Sequence, residues 1–557
     1  MHVALSSGSV LVPAGYVVLF AVLIAPGYAV AQIVVRRCGF DPAATLAIAY
    51  TLTALAGYAA FWCYLASPAL GRAVTAAWVL AAVAAPVAVL RTGIRRDAAM
   101  QLLLTFAVGL FYLAVLYLPA TGIGAEQRFF VLRPSDNVLP QLFAERIYTG
   151  QDPRVPLAGW QSSDRPPLQT GIQLLVRPLF HVAPAHLRAE YEIVGLIAQL
   201  LWLPAAWLLC VRAGMSSRRF VLALAIFSGF FLYNTVYTWP KLLAAGFCVA
   251  ALVFALPAQR ENRAASLTLA GICAALALLA HGSSAFFVLP AVALVIAFRR
   301  PPARTLVAAL AAGVLLLIPW SAYQRFYDPP GDRLLKMHLA GTKGVDPRPA
   351  AAVIAEAYAR TPLDDIVRNK LANVTTAVGA APLLGSAGTS EPATQVNLWR
   401  LRERESVTAA LGVVNLGWLV LPWWWWRRST AGALRRNIGG LLALALASAA
   451  FWCAAMWGPA ATVTTHAAYA LELVLFVALG AVLGDLPRAA AAAVLALAVA
   501  DLLVTWIAGS LADAWRVAPS LDPLMMLIAI AAGVTAGIVL TFDERAGPSK
   551  GSALSAP

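Results

Sequence analysis

Three charged side chains in one polar stretch could together carry out a group transfer. The stretch reads RPSDNVLPQLFAERIYTGQDPRVPLAGWQSSDRPPLQTGIQLL, with Asp136 near its start and Asp164-Arg165 further along. A carboxylate placed here can act as a general base toward an acceptor hydroxyl or amine. An arginine beside it can hold a phosphate leaving group through paired, charge-assisted hydrogen bonds. Each residue also has a plainer reading. Ser135 or Asp136 can cap a helix that begins near Asn137. Asp164 sits near the cap of a second helix opened by Pro166 or Pro167. Finding all three in one loop, immediately after an apolar run, is what favours chemistry.

Those runs define the class of protein. The chain has 557 residues, 61% of them hydrophobic and 12% charged, where an ordinary soluble domain carries about 25% charged residues. Its mean hydropathy is +0.76. Crossing about 30 Å of hydrocarbon takes roughly 20 apolar residues, and such runs recur at 12–35, 42–66, 73–90, 100–119, 190–211, 219–236, 241–257, 265–280, 283–298, 304–320, 407–426, 438–457, 466–484, 488–508 and 522–541. The expected fold is an all-α polytopic membrane protein of about fifteen spans. The first run lacks the basic flank of a cleavable signal peptide and is expected to be retained as a span.

The charge of +15, from 41 Lys and Arg against 26 Asp and Glu, sits in short loops between runs. There it orients spans, and it forms no basic face with interleaved aromatics that would take nucleic acid. Arg36-Arg37, Arg91 with Arg95-Arg96, Arg212 with Arg218-Arg219, Arg260 with Arg263, Arg299-Arg300, and Arg427-Arg428 with Arg435-Arg436 all fall on one side under strict alternation. That side is expected to be the cytoplasm, with the N-terminus outside and the 542–557 tail inside. Heavy use of Ala, Arg and Pro suggests a GC-rich bacterial genome, hence an inner-membrane location. Two long polar segments, 119–188 and 321–406, then face outward. Within the first, 137–149 and 167–180 read as amphipathic helices lying at the interface. The second reads as a small cap over the cavity. The expected organisation is N-terminal helices over 1–98, a core over 99–320, the 321–406 cap and C-terminal helices over 407–541.

Other candidates are scattered along the chain. Lys241 stands at an outer span end, where it could meet a phosphate or simply snorkel. His281 could line a cavity or satisfy a tight turn. His466 and Tyr469 open a span from outside, and Glu472 lies one turn deeper, where an ionisable group is costly. Arg333 and His338 lie in the second outer segment, and His338 has no spaced partner for a metal site. The six cysteines form no CxxC pair and read as small core residues. No metal ligand set is apparent, and a divalent metal is compatible with the chemistry but unsupported. No nucleotide-binding motif appears.

The 135–175 segment resembles the first outer loop of the C-type superfold of membrane glycosyltransferases. It is most similar to the aminoarabinose transferase and protein mannosyltransferase branch. The resemblance rests on Asp136, the turn Thr149-Gly150-Gln151-Asp152 and the run Asp164-Arg165-Pro166-Pro167-Leu168. Tyr237-Thr238-Trp239-Pro240-Lys241 agrees, as does the Ala275–Pro290 stretch, where His281 stands in place of the family's usual Lys. The resemblance implies a polyprenyl-phosphate sugar donor and a glycan, lipid or protein acceptor. It casts Asp136 as the catalytic carboxylate, Asp164 as a second acid, and Arg165, with Lys241, on the donor phosphate. Where this chain has Arg165 the family usually has Lys, and where it has Asp164 many members have Glu, so the acid's reach here is shorter by one methylene. Two alternatives stay open. An O-antigen ligase or polymerase with a lipid-diphosphate donor would rely on Arg333 and His338. A lipid-linked sugar flippase would show inverted repeats, and none is convincing.

Overall fold

Every one of the fifteen apolar runs becomes helix, because in lipid a helix alone satisfies each backbone N–H and C=O within one segment. The computed structural model describes residues 7–120, 135–157, 159–179, 184–379, 406–427, 432–458, 469–508 and 520–542. Among them the only β pairing is two isolated bridges, Pro119 with Leu521 and Leu157 with Trp160. Among the described residues, twelve helices are long and apolar enough to cross a membrane. The expected uniform set of fifteen needs correcting in three places. Arg218–Ile226 and Gly229–Val236 form one run bent by 59°. Lys241–Phe254 and Tyr469–Gly484 have 14 and 16 residues, or about 21 and 24 Å. Both are sheathed in protein along nearly their whole length, so neither has to match the thickness of lipid. The 263–299 region is two helices as expected, Arg263–Ala280 and Ala285–Arg299, joined by the turn at His281.

Contacts between loops sort the helix ends into two groups, and the sorting follows the arginine pattern. At one end Arg36 donates to the Thr92 and Gly93 carbonyls, Arg212 pairs with Glu261, Asn262 N donates to Cys38 O, and Arg427 donates to Asp485 O. At the other end Asp522 N donates to Leu118 O, and Trp457 N to His338 O. This second end carries Asp136 and the Ser321-to-Asn373 stretch.

Between these ends the two helices of the first polar segment divide their roles. Leu139–Tyr148 is amphipathic as expected, burying Leu139, Phe143 and Ile147 on one face. The second was expected to lie at the interface, yet all nine residues of Leu168–Val176 are buried. It is wedged among Thr45–Ala66, Pro68–Thr92 and the start of Pro184–Gln199. Glycines allow the approach: a Cβ on Gly171 would lie 2.2 Å from the Gly57 carbonyl oxygen. Gly171→Ala should therefore force the two helices apart and cost about 1–3 kcal/mol. The check is the melting temperature in detergent, and an unchanged value would show that the pair can part freely.

Candidate functional site

The site is assembled on two short 3-10 turns. The first, Ser135–Val138, leads into Leu139–Tyr148. The second, Ser162–Asp164, leads through Pro166-Pro167 into the buried Leu168–Val176 helix. Tyr191 ties them together: its hydroxyl donates to Asn137 O at 2.7 Å and accepts from Gln169 Nε2 at 2.9 Å. Because the second helix is locked in the core, Asp164 and Arg165 are held by a rigid rail and not by a free loop.

Asp136 does not cap its helix. Its Oδ2 takes the guanidinium of Arg165 in a largely buried ion pair. Its Oδ1 and the Arg165 Nε are buried without a hydrogen-bond partner among the described residues. Arg165 also lies over the Trp160 ring, 4.3 Å from its centroid, and Arg333 packs on the same indole at 5.0 Å. An indole face favours such cations. Arg333 further reaches Asp164 Oδ2 at 3.2 Å and Gly159 O at 2.6 Å. Two guanidiniums, two carboxylates and one indole therefore share one place.

Asp164 keeps its plainer role as well, since its Oδ2 accepts from Gln161 N at 3.0 Å in a reciprocal capping arrangement. Burial pushes its carboxyl above the usual carboxylate range. The Gln161 N–H, Arg333 and Arg165 oppose that rise, and Asp328 adds to it.

The second polar segment closes over this turn through residues that the sequence did not single out. Asp328, itself buried, accepts from Ser162 Oγ at 2.7 Å and from Ser163 N at 2.9 Å. Ser162 Oγ also meets the Tyr323 hydroxyl at 2.6 Å. Gln324 Nε2 donates to Ser163 O, and Gln161 Nε2 to Pro329 O. Behind the site Arg177 pairs with Glu145 and lies over Tyr148. No motif in the sequence marks Trp160, Tyr323 or Asp328.

The remaining candidates are only partly gathered here. Lys241 is buried, with its Nζ 3.1 Å from the Trp239 ring centroid and 5.7 Å from that of Tyr469. It is thus enclosed by aromatics and does not snorkel. The segment it follows touches the site where the Tyr191 hydroxyl approaches Thr238 O at 3.5 Å. Glu472 is buried one turn beyond Tyr469. His281 caps the Gly282–Ser284 turn, its Nδ1 accepting from Ser283 N and lying 2.6 Å from Ser283 Oγ. That is the turn-forming role. His338 accepts through its carbonyl from Trp457 N. His466 lies outside the described residues. Among the described residues no three His, Cys, Asp or Glu side chains gather as a metal site, and all six cysteines are free.

No family model matches the sequence, and no curated protein matches it either. Among solved structures the chain is similar to the crystal structure of ArnT from Cupriavidus metallidurans bound to undecaprenyl phosphate, at 11% identity and a TM-score of 0.45, over 80% of this chain and 77% of that one. At that identity and TM-score the likeness assigns neither residues nor activity, which rest on the geometry above.

Proposed function

We propose that this chain is a membrane glycosyltransferase that moves a sugar from a polyprenyl-phosphate donor to an acceptor on the outer face of a bacterial inner membrane. The observation that carries the reading is the Asp136–Arg165 ion pair, with Arg333 and Arg165 both packed on Trp160. A phosphate entering this site would compete with Asp136 for the Arg165 guanidinium, whose Nε has no partner among the described residues. Donor binding would then release the Asp136 carboxylate for acceptor chemistry. In the transfer itself the acceptor oxygen bonds to the sugar's anomeric carbon and the bond to the phosphate oxygen breaks. The electron pair goes to the phosphate and the acceptor proton to Asp136, with inversion at carbon. Arg165 and Arg333 would stabilise the charge developing on phosphate, a contribution that often dominates such reactions.

Asp164 has a positioning role in this scheme. It is wholly buried against Arg333 and holds the turn from which Arg165 projects. The ligase alternative relied on Arg333 and His338, and Arg333 is now accounted for within the Arg165 site. The decisive binding measurement uses polyprenyl monophosphate and native mass spectrometry of the full chain. Wild type should retain the lipid, and Arg165→Ala should bind it about 10- to 100-fold more weakly. Polyprenol without phosphate should not compete. Equal retention by the variant would overturn the phosphate assignment.

A further inference from the structure

The second polar segment contains a helix that the proposed transfer does not use, and its surface is divided into three sectors. Leu363–Val378 begins after Pro362 and ends at Gly379, which adopts φ +71. One sector is docked on the protein. Asn373 Nδ2 donates to the Cys453 and Met456 carbonyls at 3.1 and 2.9 Å, and Lys370 Nζ donates to Met456 O. Ala377 packs with Trp452, Cys453 and Met456. These partners are the last turn of the Gly432–Ala455 span, whose terminal carbonyls have no intrahelical donors and need outside ones. At the helix's other end Thr408 Oγ1 donates to Val378 O, at the start of the Val407–Trp426 span. The helix therefore bridges the ends of two membrane spans.

The second sector is apolar and uncovered. Leu363, Val367, Leu371, Val374 and Val378 all project outward, with Leu363 73% and Leu371 62% exposed. At 3.6 residues per turn these five share an arc of about 80°. The third sector carries Asp364, Asp365, Arg368 and Thr375; it lies opposite the docked sector and about 100° round the helix from the stripe, with Arg368 paired to Asp365 at 3.0 Å. Five aligned aliphatic side chains on an otherwise polar helix form a patch of the kind that marks an interaction surface.

The position of the patch identifies the occupant. Its helix is docked on the last turn of one span and the first turn of another, so the stripe lies at the end of the membrane-spanning bundle, where the bilayer surface must be. Aromatic residues of the type that gather at membrane interfaces touch the same helix: the Tyr358 hydroxyl accepts from Lys370 Nζ at 2.7 Å and Tyr358 packs edge-to-face on Trp457 at 4.9 Å. We infer that Leu363–Val378 lies in the plane of the bilayer surface, with its Leu363-to-Val378 stripe in lipid and its Arg368 face in water. This is the geometry of an interfacial amphipathic helix, which buries its apolar face roughly 5–10 Å into the headgroup boundary. The 321–406 segment is then not a free cap above the membrane. It is moored to lipid at this helix and to the catalytic turn at Arg333.

The test is site-directed spin labelling of the full chain in lipid nanodiscs that hold no other protein. Labels go at Leu371→Cys and, as a second stripe position, Val374→Cys, against Arg368→Cys on the polar face. The two half-buried native thiols are removed as Cys38→Ser and Cys63→Ala. Only samples that elute and melt like wild type are compared. The ratio of oxygen to nickel-chelate accessibility should be severalfold higher at 371 and 374 than at 368. Water-like ratios at all three positions would overturn the inference and would indicate a surface reserved for a protein partner.

Discussion

Asp136→Asn should lower the single-turnover rate of sugar transfer in proteoliposomes by about 10²- to 10⁴-fold, the range expected for losing a general base. The substitution keeps the size of the side chain, and its carbonyl can still accept from Arg165. Folding and the docking of Trp160 should therefore survive. The proposed competition gives a second, separable outcome. With no carboxylate neutralising Arg165, the polyprenyl-phosphate donor should bind as tightly as before or more tightly. A fall in turnover without a rise in KM is thus the signature of a base. Normal turnover would remove Asp136 from the chemistry. A fall in turnover together with lost lipid binding would make it a structural partner of Arg165.

Arg333→Ala should be the most destabilising single change at the site. The Asp164 carboxylate is wholly buried, and Arg333 is the nearest cation holding it. Removing one member of a buried pair leaves an uncompensated charge and costs about 3 kcal/mol or more. The same change removes a donor from Gly159 O and a cation from the Trp160 face, so the second polar segment should loosen over the turn. Adding Asp164→Asn should restore much of the loss, because the double variant leaves no charge stranded. Melting midpoints of the four proteins in detergent, with limited proteolysis of the 321–379 stretch, read this cycle. Additive losses would show that the two side chains are not coupled.

The residues behind these two results differ in how far the sequence reveals them. Asp136, Asp164 and Arg165 were legible because charged residues are rare in this chain and these sit together beside an apolar run. Arg333 was visible only as a candidate for a different reaction, since nothing in a linear sequence places it against Asp164 across 169 positions. Trp160 was invisible for a related reason. An indole between Gly159 and Gln161 is ordinary until two guanidiniums are seen to share it. Asp328 carried no motif at all, and its role is to accept from the Ser162–Ser163 turn. Lys241 and His281 were each legible with two readings, and the structure adds their surroundings: Lys241 lies among Trp239 and Tyr469, and His281 caps its own turn.

What the sequence alone determined is the membrane class, the identity of nearly every helix and which loop ends lie together. Hydrophobic length and arginine placement act locally, one span at a time, so they can be read in order along the chain. Tertiary structure decided what local rules do not reach. It shortened Lys241–Phe254 and bent the run at Ser228, because helices sheathed by protein need not match lipid. It sank Leu168–Val176 into the core through the close approach of Gly57 and Gly171. It also brought Asp136, Arg165 and Arg333 to one indole. Such a meeting depends on distances between elements far apart in the chain, and periodicity carries no information about those.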